Sequence, residues 1–151
     1  METKVLYTDA VIEIDGVKYH HHSNGGGLVA ETAYVAETAF VGPFAMVCDR
    51  AKVVDLAELH GYTHVTDDAQ VYGNAKIYDH ANVCGKARIH GYAQLQDHAL
   101  ACDNAIVSDH SRILENIHVC DNIRVRGATI TGNASLKGAT IYNYGFYCFT
   151  Q

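Results

Sequence analysis

The sequence predicts an all-β fold: a single-stranded left-handed parallel β-helix, a triangular solenoid with 18 residues per coil, closed by a short N-terminal β cap and an aromatic C-terminal cap. Three observations carry that expectation. A six-residue motif repeats without insertion from Ala33 to Asn122, and four cysteines are spaced by multiples of 18. The composition favours small side chains, with 13 Gly, one Pro and no Trp in 151 residues.

The repeat begins Ala33-Tyr-Val-Ala-Glu-Thr38, Ala39-Phe-Val-Gly-Pro-Phe44, Ala45-Met-Val-Cys-Asp-Arg50. Its third position reads Val35, Val41, Val47, Val53, Leu59, Val65, Val71, Ile77, Val83, Ile89, Leu95, Ala101, Val107, Ile113 and Val119, so that Ala101 alone departs from an aliphatic of full size. The first position is Ala in most units, with Thr63, Ser111 and Ile117 as departures, and the fifth is nearly always Gly, Asp or Glu. A helix would repeat its apolar residues at three and four, and an ordinary half-buried strand at two over one short stretch. Period six, with a small and an aliphatic residue turned inward, fits a short strand followed by a corner, three such sides closing one coil around a narrow bore.

Cys48, Cys84, Cys102 and Cys120 then fall on one vertical row, with Thr66 at the missing rung. Coils stacked about 4.8 Å apart give about six coils and a prism roughly 30 Å long. Parallel Cβ vectors in such a row make bridging strained, so reduced thiols are expected.

The chain divides into an N-terminal β cap (1–26), the β-helix (27–141) and an aromatic tail (142–151). Val11-Ile-Glu-Ile-Asp-Gly-Val-Lys-Tyr19 reads as a hairpin or paired strands covering the open end of the solenoid. At the far end the units shorten to five residues at Ile123–Gly127 and Ala134–Gly138, and the tail Tyr142–Phe149 is expected to plug the bore or swap onto a neighbour.

A net charge of −6 argues against a duplex nucleic acid as partner. No apolar stretch reaches the length of a membrane span, and Met1-Glu2-Thr3-Lys4 lacks the start of a signal peptide, so no membrane association and a cytoplasmic location in a bacterial host are expected.

Repeats such as Val71-Tyr-Gly-Asn-Ala-Lys-Ile-Tyr-Asp-His-Ala81 resemble those of the hexapeptide-repeat superfamily, most of all its YdcK-like subset common in phages and prophages. The resemblance covers roughly residues 25–141. It implies a homotrimer. Acyltransferases of the superfamily use acetyl-CoA or another acyl-CoA and a histidine in the cleft between subunits, a role that His80, His98 or His64 would take here. Those enzymes place Gly straight after the aliphatic, as in Val41-Gly42, whereas most units here place it one residue later. They also carry a protruding loop and often a C-terminal helix, which this sequence lacks. The expectation therefore leans away from an enzyme and requires no cofactor.

Strand alternation turns the second and fourth positions outward, so the three sides of the prism are legible separately. The cysteine side, with Leu28, Met46, Cys48, His64, Cys84, Leu100, Cys102, His118 and Cys120, has no formally charged residue up to Cys120. An uncharged side of that length is best explained by burial against other subunits, which makes Leu28, Met46, His64, Leu100, Cys84, Cys102, His118 and Cys120 the expected trimer interface. A second side carries Tyr72, Arg88, His90, Arg124 and Arg126, and a third carries Phe40, Glu58, His60, Lys76 and Tyr78.

The corner beside the uncharged side stacks Phe44, Tyr62, His80, His98 and Asn116. Across a subunit boundary this ladder would meet the arginines, and Tyr62, His80, His98, Arg88, Arg124, Arg126, Tyr72 and His90 are the candidate ligand-binding residues. Rings supply stacking, and guanidiniums supply charge-assisted hydrogen bonds, a combination suited to a small anionic or nucleotide-like ligand. Cys102, Cys120 and His118 form a zinc-like set, but a flat row of parallel side chains does not offer tetrahedral angles, and no metal is assigned. The leading functional reading is a phage-type trimer that captures such a ligand, such as a host-defence signal; an acyl-CoA-dependent transferase and a purely structural or interaction module stand as alternatives.

Overall fold

Two inward side chains per unit decide the architecture. The computed structural model describes residues 5–8, 11–138, 140–142 and 145–150. It is all-β, a parallel β-solenoid of about seven turns with coils of about 18 residues, compatible with a hexapeptide-repeat β-helix. Ala39, Ala45, Ala51, Ala57, Ala69 and Ala75 at first positions are fully buried, as are Val41, Leu59, Ile77, Leu95 and Ile113 at third positions. Each such aliphatic taken from water contributes about 1.5–3 kcal/mol, and the alanines leave room for them in a bore one side chain wide.

Three sheets form the sides. The cysteine sheet stacks Leu28–Ala30, Met46–Val47, His64–Val65, Asn82–Val83, Leu100–Ala101, Asn116–Cys120 and the second half of Thr129–Lys137. The arginine sheet runs from Tyr34–Val35 through Arg88–Ile89, Ile106–Ser108 and Arg124–Arg126 to Thr140–Tyr142, and the third sheet from Phe40–Val41 through Glu58–Leu59 and Lys76–Ile77 to Phe146–Phe149. Backbone N–H groups at second, fourth and sixth positions donate to carbonyls one coil on: Cys48 to Val65, Arg50 to Asp67 and Lys52 to Ala69, each at 2.9 Å.

The acids at fifth positions have a structural purpose. Asp49, Asp55, Asp67, Asp79, Asp97, Asp103, Asp109, Glu115 and Asp121 all lie at φ between 55° and 59°, the left-handed corner that Asp tolerates better than most residues. The carboxylates of Asp49, Asp55, Asp67, Asp79, Asp97 and Asp103 also receive the N–H of the fifth residue one coil later: Asp67 N–H donates to Asp49 at 3.1 Å, Gly85 N–H to Asp67 at 2.9 Å and Glu115 N–H to Asp97 at 3.0 Å.

At the N-terminal end, β1 (Val5–Thr8), β2 (Val11–Ile14), β3 (Val17–His21) and β4 (Leu28–Ala30) pair antiparallel in that order and extend the cysteine sheet, which covers its first edge as the sequence predicts. The loop after β3 is pinned to the first coil: His22 is buried with Nε2 2.9 Å from the Ala39 carbonyl, and Val41 N–H donates to the Asn24 carbonyl at 3.0 Å.

At the other end the offset between stacked rungs falls from 18 to 17 residues, as Ile106 pairs with Arg124 but Arg112 with Thr129. Ser111, a departure from Ala, absorbs the missing residue. Its buried hydroxyl donates to the Ser108 carbonyl at 2.6 Å and accepts from Gly127 N–H at 2.8 Å. Thr63, another departure, buries its hydroxyl with no partner among the described residues. In the single chain the tail packs on its own last coil. Phe146–Phe149 adds a rung to the third sheet, with Tyr147 and Phe149 against the core, and a Cβ at Gly132 would overlap the Phe149 carbonyl. Asn143 and Tyr144 of the expected tail, and Met1–Lys4, lie outside the described residues.

One expectation is corrected. The cysteines were expected to be reduced, but Cys102 and Cys120 form a disulfide, while Cys48, Cys84 and Cys148 are free. Rung stacking sets their Cα atoms 4.7 Å apart, inside the bonding range, and this proximity outweighs the parallel arrangement.

The corner chemistry is testable by chemical denaturation. Asp97→Gly should lose only the carboxylate acceptor, about 0.5–1.5 kcal/mol, whereas Asp97→Leu should lose that and add about 1–2 kcal/mol of left-handed strain. Equal losses would place the whole effect in the hydrogen bond.

Candidate functional site

Because each coil repeats the direction of the last, an aromatic or imidazole recurring after 18 residues stacks on its predecessor. Phe44 stacks on Tyr62 with centroids 5.2 Å apart, Tyr62 on His80 at 5.2 Å and His80 on His98 at 5.1 Å, with interplanar angles of 21°, 5° and 13°. The ladder occupies the corner where the third sheet turns into the cysteine sheet. Phe44 and Tyr62 are largely exposed. His64 is exposed on the cysteine sheet itself, between Met46 and Asn82, and makes no ring contact with the ladder among the described residues.

The other candidate ligand residues lie on the arginine sheet, so one protomer does not bring the two groups together. Tyr72 stacks on His90 at 4.8 Å with its ring nearly parallel. Burial, and secondarily the Arg88 charge, lowers the His90 pKa, against the opposing pull of Asp109. Arg126 pairs with Asp109 at 2.6 Å. Arg88 and Arg124 are two rungs apart, on either side of Ile106, and with Lys86, Asn104 and Asn122 they line a groove of about 290 Å³. Its lining holds three cations and two amides and no carboxylate. An adjoining cavity of about 310 Å³ is walled by His90, Arg124, Arg126 and Tyr142.

The groove and the ladder flank the same sheet from opposite edges. Lys86, Asn104 and Asn122 stand at the corner leaving the cysteine sheet, while Tyr62, His80 and His98 stand at the corner entering it. Of the eight candidate interface residues, Leu28, Met46, Cys84, Leu100 and Cys102 are half-buried in the single chain, His64 and His118 are exposed, and Cys120 is buried. The charge-free stretch ends where Lys137 pairs with Cys120 at the last rung, a position reached only because the five-residue units add a further coil.

For the zinc-like set, Asp103 rather than His118 approaches the sulfurs: donor atoms of Cys102, Asp103 and Cys120 lie within 4.8 Å of one another, the two sulfurs being bonded. Free Cys84 has its pKa raised, mainly by burial and further by Asp67 and Asp103. Cys48, more deeply buried, is raised for the same first reason and accepts a 3.9 Å contact from the Tyr19 hydroxyl, whose own pKa is pushed up to about 12.

One cluster carried no assignment in the sequence. On the third sheet His60 has its Nε2 2.8 Å from a Glu58 carboxylate oxygen, Lys76 lies 3.6 Å from the same oxygen, and the His60 ring stacks on Phe40 at 4.9 Å and on Tyr78 at 5.1 Å. The alternation that places Glu58, His60 and Lys76 on one side was legible; their convergence on a cavity needed the N-terminal loop, which supplies Asn24.

The chain matches no protein-family model, no curated protein and no solved structure.

Thiol titration in denaturant should find three reactive cysteines in the protein as isolated and five after reduction. Five at the outset would remove the Cys102–Cys120 bond.

Proposed function

We propose that the chain works as a homotrimer of left-handed β-helices, of the YdcK-like type common in phages, that captures a small anionic, nucleotide-like ligand in the clefts between its subunits without transforming it. The observation that carries this reading is the placement of a continuous ring stack and a three-cation groove on opposite edges of the charge-free stretch of one sheet, from Leu28 to Cys120.

Three-fold packing on that sheet is a head-to-tail contact, so the entering edge of one protomer faces the leaving edge of the next. A cleft of this kind has Tyr62, His80 and His98 on one wall and Lys86, Arg88 and Arg124 on the other. Within the stack each ring covers its neighbour's face, so a planar ligand stacks on the His98 end, at about 1–3 kcal/mol per base, while the ring edges of Tyr62 and His80 face the cleft and the guanidiniums hold the ligand's negative charge. No cofactor, membrane or duplex nucleic acid enters this reading, and the bacterial cytoplasm is its setting. Because the ladder histidines are stacked on one another and none is hydrogen-bonded to a carboxylate among the described residues, capture fits their geometry better than general-base chemistry.

Native mass spectrometry of the protein with a metabolite extract should show a trimer retaining an unaltered anionic ligand, up to three per trimer. Replacing both His80 and His98 with Ala should weaken retention at least tenfold while leaving the trimer intact. Undiminished retention would sink the ladder as the ligand wall, and turnover of acetyl-CoA would place the chain with the transferases instead. Leu100→Glu, which sets a charge in the middle of the uncharged sheet, should dissociate the trimer in sedimentation; a variant that stays trimeric would overturn the choice of interface.

A further inference from the structure

The Glu58–His60–Lys76 cluster stands on the outer side of the third sheet, and the cavity beside it extends to Thr38, Leu56 and Asn74 at the corner away from the ring ladder, so packing through the cysteine sheet leaves it open to solvent. It borders a cavity of about 390 Å³, within the usual range for small-molecule sites. Its position is fixed by features that an ordinary surface ion pair lacks. Phe40 from the coil before and Tyr78 from the coil after hold the two faces of the His60 imidazole, and Glu58 holds its edge. The opposite wall is equally set: Asn24 sits in the pinned loop, with its amide donating to the Ala39 carbonyl at 3.1 Å.

The chemistry of the lining is mixed and electrically balanced. The Glu58 and Lys76 charges cancel, and the other lining residues carry none at neutral histidine. An ionised carboxylate only accepts, so His60 Nε2 carries the proton that faces Glu58, and Nδ1 is the acceptor of the neutral ring. Thr38 spends its hydroxyl proton on the Asp55 carbonyl at 2.6 Å and keeps its lone pairs, while Asn74 brings both an acceptor and two donors. Leu56, 58% exposed, supplies an apolar patch at the rim. A set of interspersed donors and acceptors with no net charge favours hydroxyl groups, which donate and accept at a single atom, and the leucine suits the C–H face of a ring.

We propose that this cavity is a second binding site, separate from the inter-subunit cleft, for a neutral polyhydroxyl ligand of mono- or disaccharide size. Its contrast with the basic groove is the core of the assignment: three cations with no carboxylate in the lining favour an anion there, and the balanced lining here removes that preference.

The test is ligand-observed saturation-transfer NMR on the full chain with glucose, galactose, N-acetylglucosamine, maltose and lactose, and with glucose 6-phosphate as the charged comparison. At least one neutral sugar should show transfer, and Leu56→Glu, at an exposed position that leaves the core untouched, should reduce it at least tenfold. Asn74→Ala should weaken it in the same direction. His98→Ala should leave it unchanged, which separates this site from the ring ladder. No transfer to any neutral sugar, equal transfer in Leu56→Glu, or transfer confined to glucose 6-phosphate and lost in Arg88→Ala would overturn the assignment.

Discussion

The rung-to-rung backbone hydrogen bond is the constraint on which everything else in this molecule rests. Once the N–H groups of one coil donate to carbonyls one coil on, each outward side chain stands over a counterpart in the preceding coil. Stacking of like on like is then obligatory. It makes ladders of Val, Leu and Ile inside, acids at the corners, rings on one edge and sulfurs on one side, and it converts any regularity in the sequence into a continuous physical feature. Such a scaffold is quasi-one-dimensional: each coil contacts only its neighbours, and a site must be built from side chains on successive rungs or on adjoining corners.

That constraint explains why so much of the fold was legible. Ala at first positions and Val, Ile or Leu at third positions announce the bore, and the row Cys48, Cys84, Cys102, Cys120 announces the coil length. The vertical neighbours Phe44, Tyr62, His80 and His98 were readable for the same reason. What escaped was whatever departs from the repeat. The register places both Cys84 and Cys120 one rung from Cys102 and does not choose between them, so the cysteine pairing was not readable from the repeat. The five-residue unit Ile123–Gly127 was legible, but not that the Ser111 hydroxyl would bridge Ser108 and Gly127 across the missing residue. The cavity beside His60 depends on a loop outside the repeat altogether, held there by His22 and Asn24.

The three sides differ in charge, and this segregation costs little because the core does not see it. Outward positions are free of the packing demands placed on the first and third residues, so each sheet face carries its own chemistry on an unchanged frame. The charge-free stretch, the cation groove and the balanced Glu58–Lys76 pair therefore coexist on different sides of one solenoid without perturbing the bore.

The disulfide between neighbouring coils bears on how such a molecule comes apart. A solenoid held only by nearest-neighbour contacts unzips from its ends, coil by coil, and the terminal coil is always the weakest. Cys102 and Cys120 bolt two adjacent coils and close a loop of 18 residues, a constraint on the unfolded chain of about 3 kcal/mol. Fraying that starts at the shortened C-terminal coils thus meets a stop before it reaches the rungs that carry His80 and His98. The bolt divides the molecule into an end that breathes and a body that does not, with the ring ladder on the quiet side of the line.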